Sequence, residues 1–135
     1  MPTPQFHAEN TIPSSSWIWV FSSNEKGTHS DGAAKVARVN FRAGYGESTG
    51  RTGQAYAIPT TDKRNVPLSL DAIEQSVAGF IDYAISKPKL NFFVTRIGGL
   101  LAGYGDEQIA SWFSKAPANC SLPEVWKPYC AGVPA

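Results

Sequence analysis

Short apolar runs and longer helical stripes alternate along the chain, and this alternation predicts an α/β fold. The runs WIWVF at 17–21 and FFV from Phe92 are rich in strand formers and are typical of strands buried on both faces. The run QAYAIPT at 54–60 predicts another strand, which we expect Pro59 to stop. Residues 120–122 predict a brief last strand.

Three segments between these strands have apolar residues at helical spacing. The clearest begins after Ser69, the expected N-cap, and ends at Lys87-Pro88. Its apolar stripe consists of Leu70, Ile73, Val77, Phe80, Ile81, Ala84 and Ile85. Further helices are expected at 33–41 and at 106–115, the latter with acids in its first turn. Strands that alternate with helices predict a three-layer α/β domain with a mostly parallel sheet and flanking helices.

Two polar stretches lack a periodic apolar face. Residues 1–16 carry three prolines and a serine run, so we expect a flexible lead-in without a regular element. Residues 42–53 hold four glycines and are expected to form a loop, which is a candidate flap over a site. Residues 17–135 are then expected to form a single α/β domain.

Composition narrows the classes of function. The 135 residues carry a formal net charge of +1, so bulk attraction to nucleic acid is not expected. No apolar stretch is long enough to span a membrane and no signal peptide is evident, so we expect a cytoplasmic protein. Cys120 and Cys130 are expected to be thiols, with a late-closing disulfide as the alternative. With two His and no CxxC pair, neither a metal site nor a cofactor is expected.

Two glycine-containing segments follow predicted strands and lead into predicted helices. They are SSNEKGTHSDG at 22–32 and GGLLAGYG at 98–105. In a parallel sheet both would leave from the carboxyl ends of strands, where backbone N–H groups suit phosphates. Neither segment matches a complete nucleotide fingerprint, and tight connections without a ligand are the alternative interpretation.

Polar side chains in these segments are candidates for contact with a ligand. Asn24 can read a base edge or a ribose, or it can cap its loop. His29 and Asp31 can serve acid–base work if they meet in a cleft, whereas a solvated pair, with Asp31 as an N-cap, is the alternative. Tyr104 can stack on a base or cover the start of a helix. Arg96, placed within the strand before Gly98, can bind phosphate or form a salt bridge.

Four segments together resemble a small family of phage and prophage proteins described as non-structural. They are WIWVFSSNEKGTHSDGAAKVA, GQAYAIPT, LNFFVTRIGGLLAGYGDEQIASWF and NCSLPEVW, and they span most of 17–126. The layout of the two loops also resembles macro domains, which bind ADP-ribose. The family pattern reads roughly FGSNLAGxHGxGAA and IGCGLAGY, so this chain departs from it at Ser22, Ser30, Asp31 and Leu100.

The resemblance implies a macro-domain-like fold with a nucleotide pocket between the two loops. One side of that pocket would consist of Ser22, Ser23, Asn24, Gly27, His29 and Gly32. The other side would consist of Gly98, Gly99, Leu101, Ala102, Gly103 and Tyr104.

The expected function is therefore to bind an ADP-ribose-related or other nucleotide. In a phage, the resemblance implies that such a protein sequesters a nucleotide signal of host defence. One alternative is an enzyme that hydrolyses an ADP-ribosyl bond, with His29 or Asp31 steering water. Another is a module that contacts a host protein and holds no ligand. We favour a binding protein over an enzyme, and a homo-oligomer is compatible with the sequence.

Overall fold

The computed structural model of the chain describes residues 4–8, 11–28, 32–64, 66–97 and 105–130. The regular elements in these residues are β1 (Gln5–His7), β2 (Ile18–Asn24), α1 (Gly32–Phe41), β3 (Gly50–Thr52), β4 (Ala55–Thr61), α2 (Leu70–Ser86), β5 (Phe92–Val94), α3 (Asp106–Ala110), β6 (Cys120–Pro123) and α4 (Lys127–Cys130). Short 3-10 turns lie at Ser111–Phe113 and Glu124–Trp126.

The described strands form one mostly parallel sheet, as the sequence predicts. Their order is β1-β6-β5-β2-β4-β3, and β3 is antiparallel to β4 whereas every other pair is parallel. The register places Ile18 beside Phe92, and Trp19 lies between Ala55 and Phe93. Because the five parallel strands point the same way, their carboxyl ends meet at one edge of the sheet. That edge is where ligands bind in open α/β sheets.

Helices cover both faces of the sheet, which confirms the three-layer α/β prediction. On one face α2, α3 and α4 pack over Val20, Phe92 and their neighbours, with Trp126 fully buried. On the other face α1 packs over Trp19 and Phe21. The alternation of side chains along each strand sends adjacent residues to opposite faces, so a strand with two buried faces reads as a continuous apolar run.

Helix α2 follows its predicted pattern. The hydroxyl of Ser69 accepts a hydrogen bond from the backbone N–H of Ala72, so Ser69 is the N-cap. The buried members of the stripe are Ile73, Val77, Phe80, Ile81 and Ala84. Ile85, expected in the stripe, is 57% exposed because it lies outside the arc that faces the sheet. Among the described helices, none is long and apolar enough to cross a membrane.

Two strands occur where the sequence predicts no regular element. The expected lead-in contains β1, whose residues pair with Ser121–Pro123 of β6. The expected loop at 42–53 contains β3, which pairs with Ala55–Ala57. Both strands are three residues long and lie at the edges of the sheet. Each strand is stabilised by backbone hydrogen bonds to its neighbour, and backbone hydrogen bonds need no particular side chains. Three residues are also too few to show the alternation of apolar and polar residues that predicts a strand.

Three predicted boundaries also move. Strand β4 continues through Pro59 to Thr61. The neighbouring strand β3 pairs with β4 only as far as Ala57, so no described residue of β3 lies opposite Pro59 to accept the N–H that proline lacks. Strand β5 ends at Val94, so Arg96 lies beyond the strand and not within it. The helix predicted at 106–115 ends its α-helical part at Ala110 and continues as a 3-10 turn.

Both cysteines are free thiols, as predicted. Cys120 lies in β6 and Cys130 ends α4, and each side chain is buried. Burial raises the pKa of Cys120 to about 12 and that of Cys130 to about 11. Both therefore stay protonated at neutral pH and pack as small apolar groups.

Replacement of Gly53 by alanine tests how tightly the hairpin β3–β4 packs against the end of α1. Gly53 has a φ of 57°, and an added Cβ would clash with the carbonyl oxygen of Arg42. Gly50, with a φ of 81°, has nothing within 4 Å of such a Cβ. We expect Gly53→Ala to lower the free energy of unfolding by roughly 3 kcal/mol or more and Gly50→Ala by about 1 kcal/mol. Urea denaturation measures both, and equal losses would contradict the packing argument.

Candidate functional site

A cavity of about 380 Å³ lies at the carboxyl edge of the sheet, beside the start of α1. Its walls come from the last residues of β1 and β6, the residues after β5, and the first turn of α1. The lining residues are His7, Ala8, Thr11, Ile12, Trp19, Gly32, Ala33, Val36, Phe93, Thr95, Arg96 and Pro123. This volume is within the range of roughly 300–1,000 Å³ that is typical of small-molecule sites.

Aromatic rings stand in a row on the sheet at the base of this cavity. The ring of Phe93 stacks against His7 at 3.7 Å and against Trp19 at 5.5 Å between centroids, with planes 17° and 5° apart. Trp19 also stacks on Phe41 of α1 at 5.1 Å. The indole N–H of Trp19 donates to the carbonyl of Ala33 at 2.9 Å, which fixes the first turn of α1 over the row. The base of the cavity is therefore rigid and mainly apolar.

His7 joins the edge strand β1 to its neighbours through this row. Its Nδ1 lies 2.7 Å from the hydroxyl of Ser121 in β6, and it also makes a hydrogen bond to the backbone of Val94. Ser121 is small, so the imidazole can extend across β6 to reach Phe93. Burial lowers the pKa of His7 to about 4, with the bond to Val94 acting in the opposite direction. The imidazole is thus neutral at physiological pH.

Arg96 lines the cavity and forms an ion pair with Asp106, the first residue of α3. Its Nε lies 2.9 Å and 3.1 Å from the two carboxylate oxygens, and its Nη2 also donates to Oδ2. The indole N–H of Trp126 donates to the same carboxylate at 3.0 Å. The Arg96 guanidinium, aided by Trp126, holds the pKa of Asp106 below its usual range. The salt-bridge alternative for Arg96 is thus present in the structure, and the guanidinium still borders the cavity.

The start of α1 gives the cavity a second positive feature. The helix is ten residues long and has no acid in its first turn, and Gly32 and Ala33 border the cavity. Backbone N–H groups in the first turn of a helix have no partner within the helix, and the helix dipole favours an anion there. Together with Arg96, this end of the cavity suits a negatively charged group. No group of three or more His, Cys, Asp or Glu among the described residues is arranged to hold a metal ion.

Asn24 organises the turn after β2. Its carbonyl oxygen accepts from the backbone N–H of Gly27 at 2.7 Å and of Thr28 at 3.3 Å. Its amide nitrogen lies 3.0 Å from the hydroxyl of Thr28. These are the contacts of a loop-capping asparagine, the alternative that the sequence left open. Asn24 does not line the cavity described above.

Gly27 and Ser23 hold this turn against the loop that precedes β3. Gly27 has a φ of 68°, and a Cβ there would lie 2.5 Å from the backbone of Gly46. The hydroxyl of Ser23 donates to the carbonyl of Ser48 at 2.6 Å. Ser22 is half-buried within β2 and, like these two residues, does not line the cavity. Among the described residues of the first predicted loop, Gly32 is the one that lines the cavity.

Of the thirteen residues predicted to contact a ligand, Gly32 and Arg96 are brought together at the cavity. The predicted residues that lie outside the described part of the chain are His29, Gly98, Gly99, Leu101, Ala102, Gly103 and Tyr104. Asp31, the second candidate for catalysis, also lies outside it.

Several cavity residues were missed by sequence reasoning. His7, Thr11 and Ile12 fall in the stretch interpreted as a lead-in, and only the pairing of β1 with β6 brings them to the cavity. Trp19 and Phe93 were identified as strand residues but not as part of a site. The sequence shows one large ring in each strand. The rings indicate a shared aromatic surface only when the register is known to place Trp19 beside Phe93.

Comparisons with known proteins identify the fold. No protein-family profile matches the sequence, and no curated protein sequence matches it. The macrodomain of Mycobacterium tuberculosis DarG is similar in structure, with a TM-score of 0.63 and 13% identity over 91% of this chain and 98% of that chain. Thermosipho africanus DarTG in complex with ADP-ribose gives a TM-score of 0.60 and 13% identity, covering 82% of this chain and 38% of that chain.

A protein of unknown function from Bacteroides thetaiotaomicron is also similar, with a TM-score of 0.51 and 15% identity over 87% of this chain and 98% of that chain. The α/β architecture and the DarG comparison together define a macrodomain-like fold. This confirms the macro-domain-like layout inferred from the two loops.

The neutral state of His7 predicts a pH dependence of stability. Below about pH 6.5 the unfolded chain binds a proton at His7, whereas the folded chain does so only near pH 4. The contribution of this residue is therefore complete above pH 6.5 and is lost as the pH falls toward 4. We expect the melting temperature of the wild-type chain to fall more steeply between pH 6.5 and 4 than that of His7→Phe, which keeps a ring but cannot bind a proton. Parallel pH profiles would show that His7 is not buried in neutral form.

Proposed function

We propose that the chain binds ADP-ribose or a related nucleotide in the cavity beside α1. The observation that carries this proposal is the combination of an anion-suited end and an aromatic base in one cavity. Gly32 and Arg96 border the first, and Trp19 and Phe93 border the second. A nucleotide carries both chemistries, since its phosphates are anionic and the faces of its base stack on aromatic rings.

In this proposal the diphosphate lies at the first turn of α1, where N–H groups and the helix dipole favour negative charge. Arg96 would contact the same group while Asp106 continues to hold its guanidinium in place. The nucleoside part would extend over the ring row toward Ile12 and the end of β1. His7 is neutral, so it would present an uncharged ring edge and not a second cation.

The structural comparisons support the choice of ligand within the wider class of nucleotides. The similar structure of Thermosipho africanus DarTG is a complex with ADP-ribose. At 13% identity the likeness shows the fold, and the ligand comes to this chain only as part of the proposal. The cavity of the present chain lies at the carboxyl edge of the sheet, where ligands of open α/β folds bind.

The biological part of the proposal is sequestration of a nucleotide signal used in host defence. It rests on the resemblance of residues 17–126 to phage and prophage proteins. A pure binding protein suffices for this role, because a bound signal no longer reaches its receptor. The proposed site belongs to residues 17–135 together with His7, Ala8, Thr11 and Ile12.

Two bulky substitutions on the same helix test the site directly. Val36 of α1 lines the cavity, whereas Val39 lies three residues further on and is 62% exposed. We expect Val36→Trp to fill the cavity and to weaken the binding of ADP-ribose at least about tenfold, a loss of roughly 1.4 kcal/mol. Val39→Trp should bind as the wild-type chain does. Isothermal titration calorimetry with ADP-ribose measures all three proteins.

Two results would contradict the proposed site. One is that the wild-type chain shows no binding at millimolar ADP-ribose. The other is that Val36→Trp binds with unchanged affinity while its melting temperature shows that it is folded. A loss of affinity in both variants would point to the outer surface of α1 and away from the cavity.

The proposal of binding without a chemical step predicts that substrates stay intact. An ADP-ribosylated protein incubated with excess chain should retain its modification over a single-turnover time course. Mass spectrometry of the substrate measures the modification. Its removal would show an ADP-ribosyl hydrolase, and loss of that activity in Asp31→Ala would then assign the catalytic residue.

A further inference from the structure

A second cavity lies at the amino end of the sheet, opposite the first. Its volume is about 460 Å³. We call it the basic pocket, and its principal lining residues are Arg51, Tyr83, Lys87, Pro88, Lys89 and Leu90. Arg51 comes from β3, Tyr83 from the last turns of α2, and the others from the C-cap of α2 and the turn that enters β5. No residue lines both cavities.

The basic pocket concentrates positive charge in a chain whose formal net charge is only +1. Arg51, Lys87 and Lys89 all line it, and its lining contains neither Asp nor Glu. Within the part of the chain that the structure describes, none of the three forms an ion pair with a carboxylate. A cation at the carboxyl end of a helix is favourable for that helix, which accounts for Lys87. It does not account for Arg51, which comes from a different element.

Arg51 is held in one orientation. Its Nε donates to the carbonyl of Gly53 at 2.8 Å, and its Nη1 donates to the hydroxyl of Tyr83 at 3.1 Å. The Tyr83 ring is fixed in turn by Tyr56 and Phe92, at 5.3 Å and 5.9 Å between centroids. Among the described residues, Nη2 of Arg51 has no partner. Its two N–H groups are therefore available at fixed positions.

The hydroxyl of Tyr83 adds a further donor. Because its oxygen accepts from Arg51, its own proton remains to be donated. The ammonium of Lys87 lies 6.0 Å from the centre of the same ring, so a second cation is close. The polar groups of the pocket thus consist mainly of donors, and a ligand that satisfies them must supply several acceptor atoms. A phosphate group does so with three or more oxygens.

We propose that the basic pocket binds the phosphate group of a small phosphate ester. The organic part of that ester would lie on Pro88, Leu90 and the ring of Tyr83, which form the apolar wall. A pocket of this volume is larger than a phosphate ion alone needs, which favours an ester over inorganic phosphate. The site is independent of the nucleotide cavity, so either can be present without the other.

Phenyl phosphate is a suitable probe, with phenol as the uncharged control. In ¹⁵N-labelled full chain we expect saturable shifts of the amide signals of Arg51, Tyr83 and Lys89 with phenyl phosphate, and no such shifts with phenol. Signals of Ile12 and Val36 report the first cavity separately. Binding confined to those two signals would overturn the basic-pocket proposal and leave the proposed nucleotide site standing.

Substitutions then assign the donors. Arg51→Gln and Lys89→Gln should each weaken phenyl phosphate at least about tenfold, since each removes a charged donor. Lys35→Gln, on the exposed surface of α1, is the matched control and should bind normally. Equal affinity in Arg51→Gln and Lys35→Gln, with spectra that show both are folded, would overturn the proposal. A thymidine decamer provides a further test. If it shifts the amide signals of Arg51, Tyr83 and Lys89 and binds at least ten times more tightly than phenyl phosphate, the pocket serves a polynucleotide and the proposal is overturned.

Discussion

A row of stacked rings crosses one face of the sheet, and both that face and the cavity depend on it. Phe93 stands at its centre, between His7 and Trp19. His7 ties the edge strand β1 to the sheet through Phe93 and the hydroxyl of Ser121. Trp19 ties the start of α1 through its bond to the carbonyl of Ala33. The end of β1 and the start of α1 are opposite walls of the cavity, so the stacking of these rings sets the separation of the walls.

Most of the fold follows from patterns that the sequence carries locally. The run at 17–21 becomes β2 because both faces of a central parallel strand are buried, and α2 follows from its stripe and its Ser69 cap. The two strands that the sequence does not predict have a feature in common. Strands β1 and β3 are short edge strands whose stability comes from a partner distant in sequence, so QFH and GRT carry no signal of their own. The sequence also predicts that Pro59 ends its strand. Proline ends a strand only where a neighbouring strand would accept the N–H that proline lacks, and this depends on the assembled sheet.

The sequence predicts a site at the carboxyl edge of the sheet, where the cavity lies, but it predicts few of the residues that line this cavity. Glycine loops after strands pointed to the carboxyl edge, and Gly32 and Arg96 do border the cavity there. Asn24 lies outside the cavity lining, and its side chain closes its own turn. The aromatic base depends on the register that puts Trp19 beside Phe93, and register is a property of the assembled sheet. A motif search therefore finds the anion-suited end of such a site more readily than its apolar end.

The central claim is that one cavity combines an anion-suited helix start with a rigid aromatic base in order to bind a nucleotide. A crystal structure of the full chain with ADP-ribose tests it most directly. We expect density for the diphosphate at the first turn of α1, near Gly32 and Arg96, and for the nucleoside over the rings of Trp19 and Phe93. Ligand density elsewhere, with this cavity empty at saturating ADP-ribose, would contradict it.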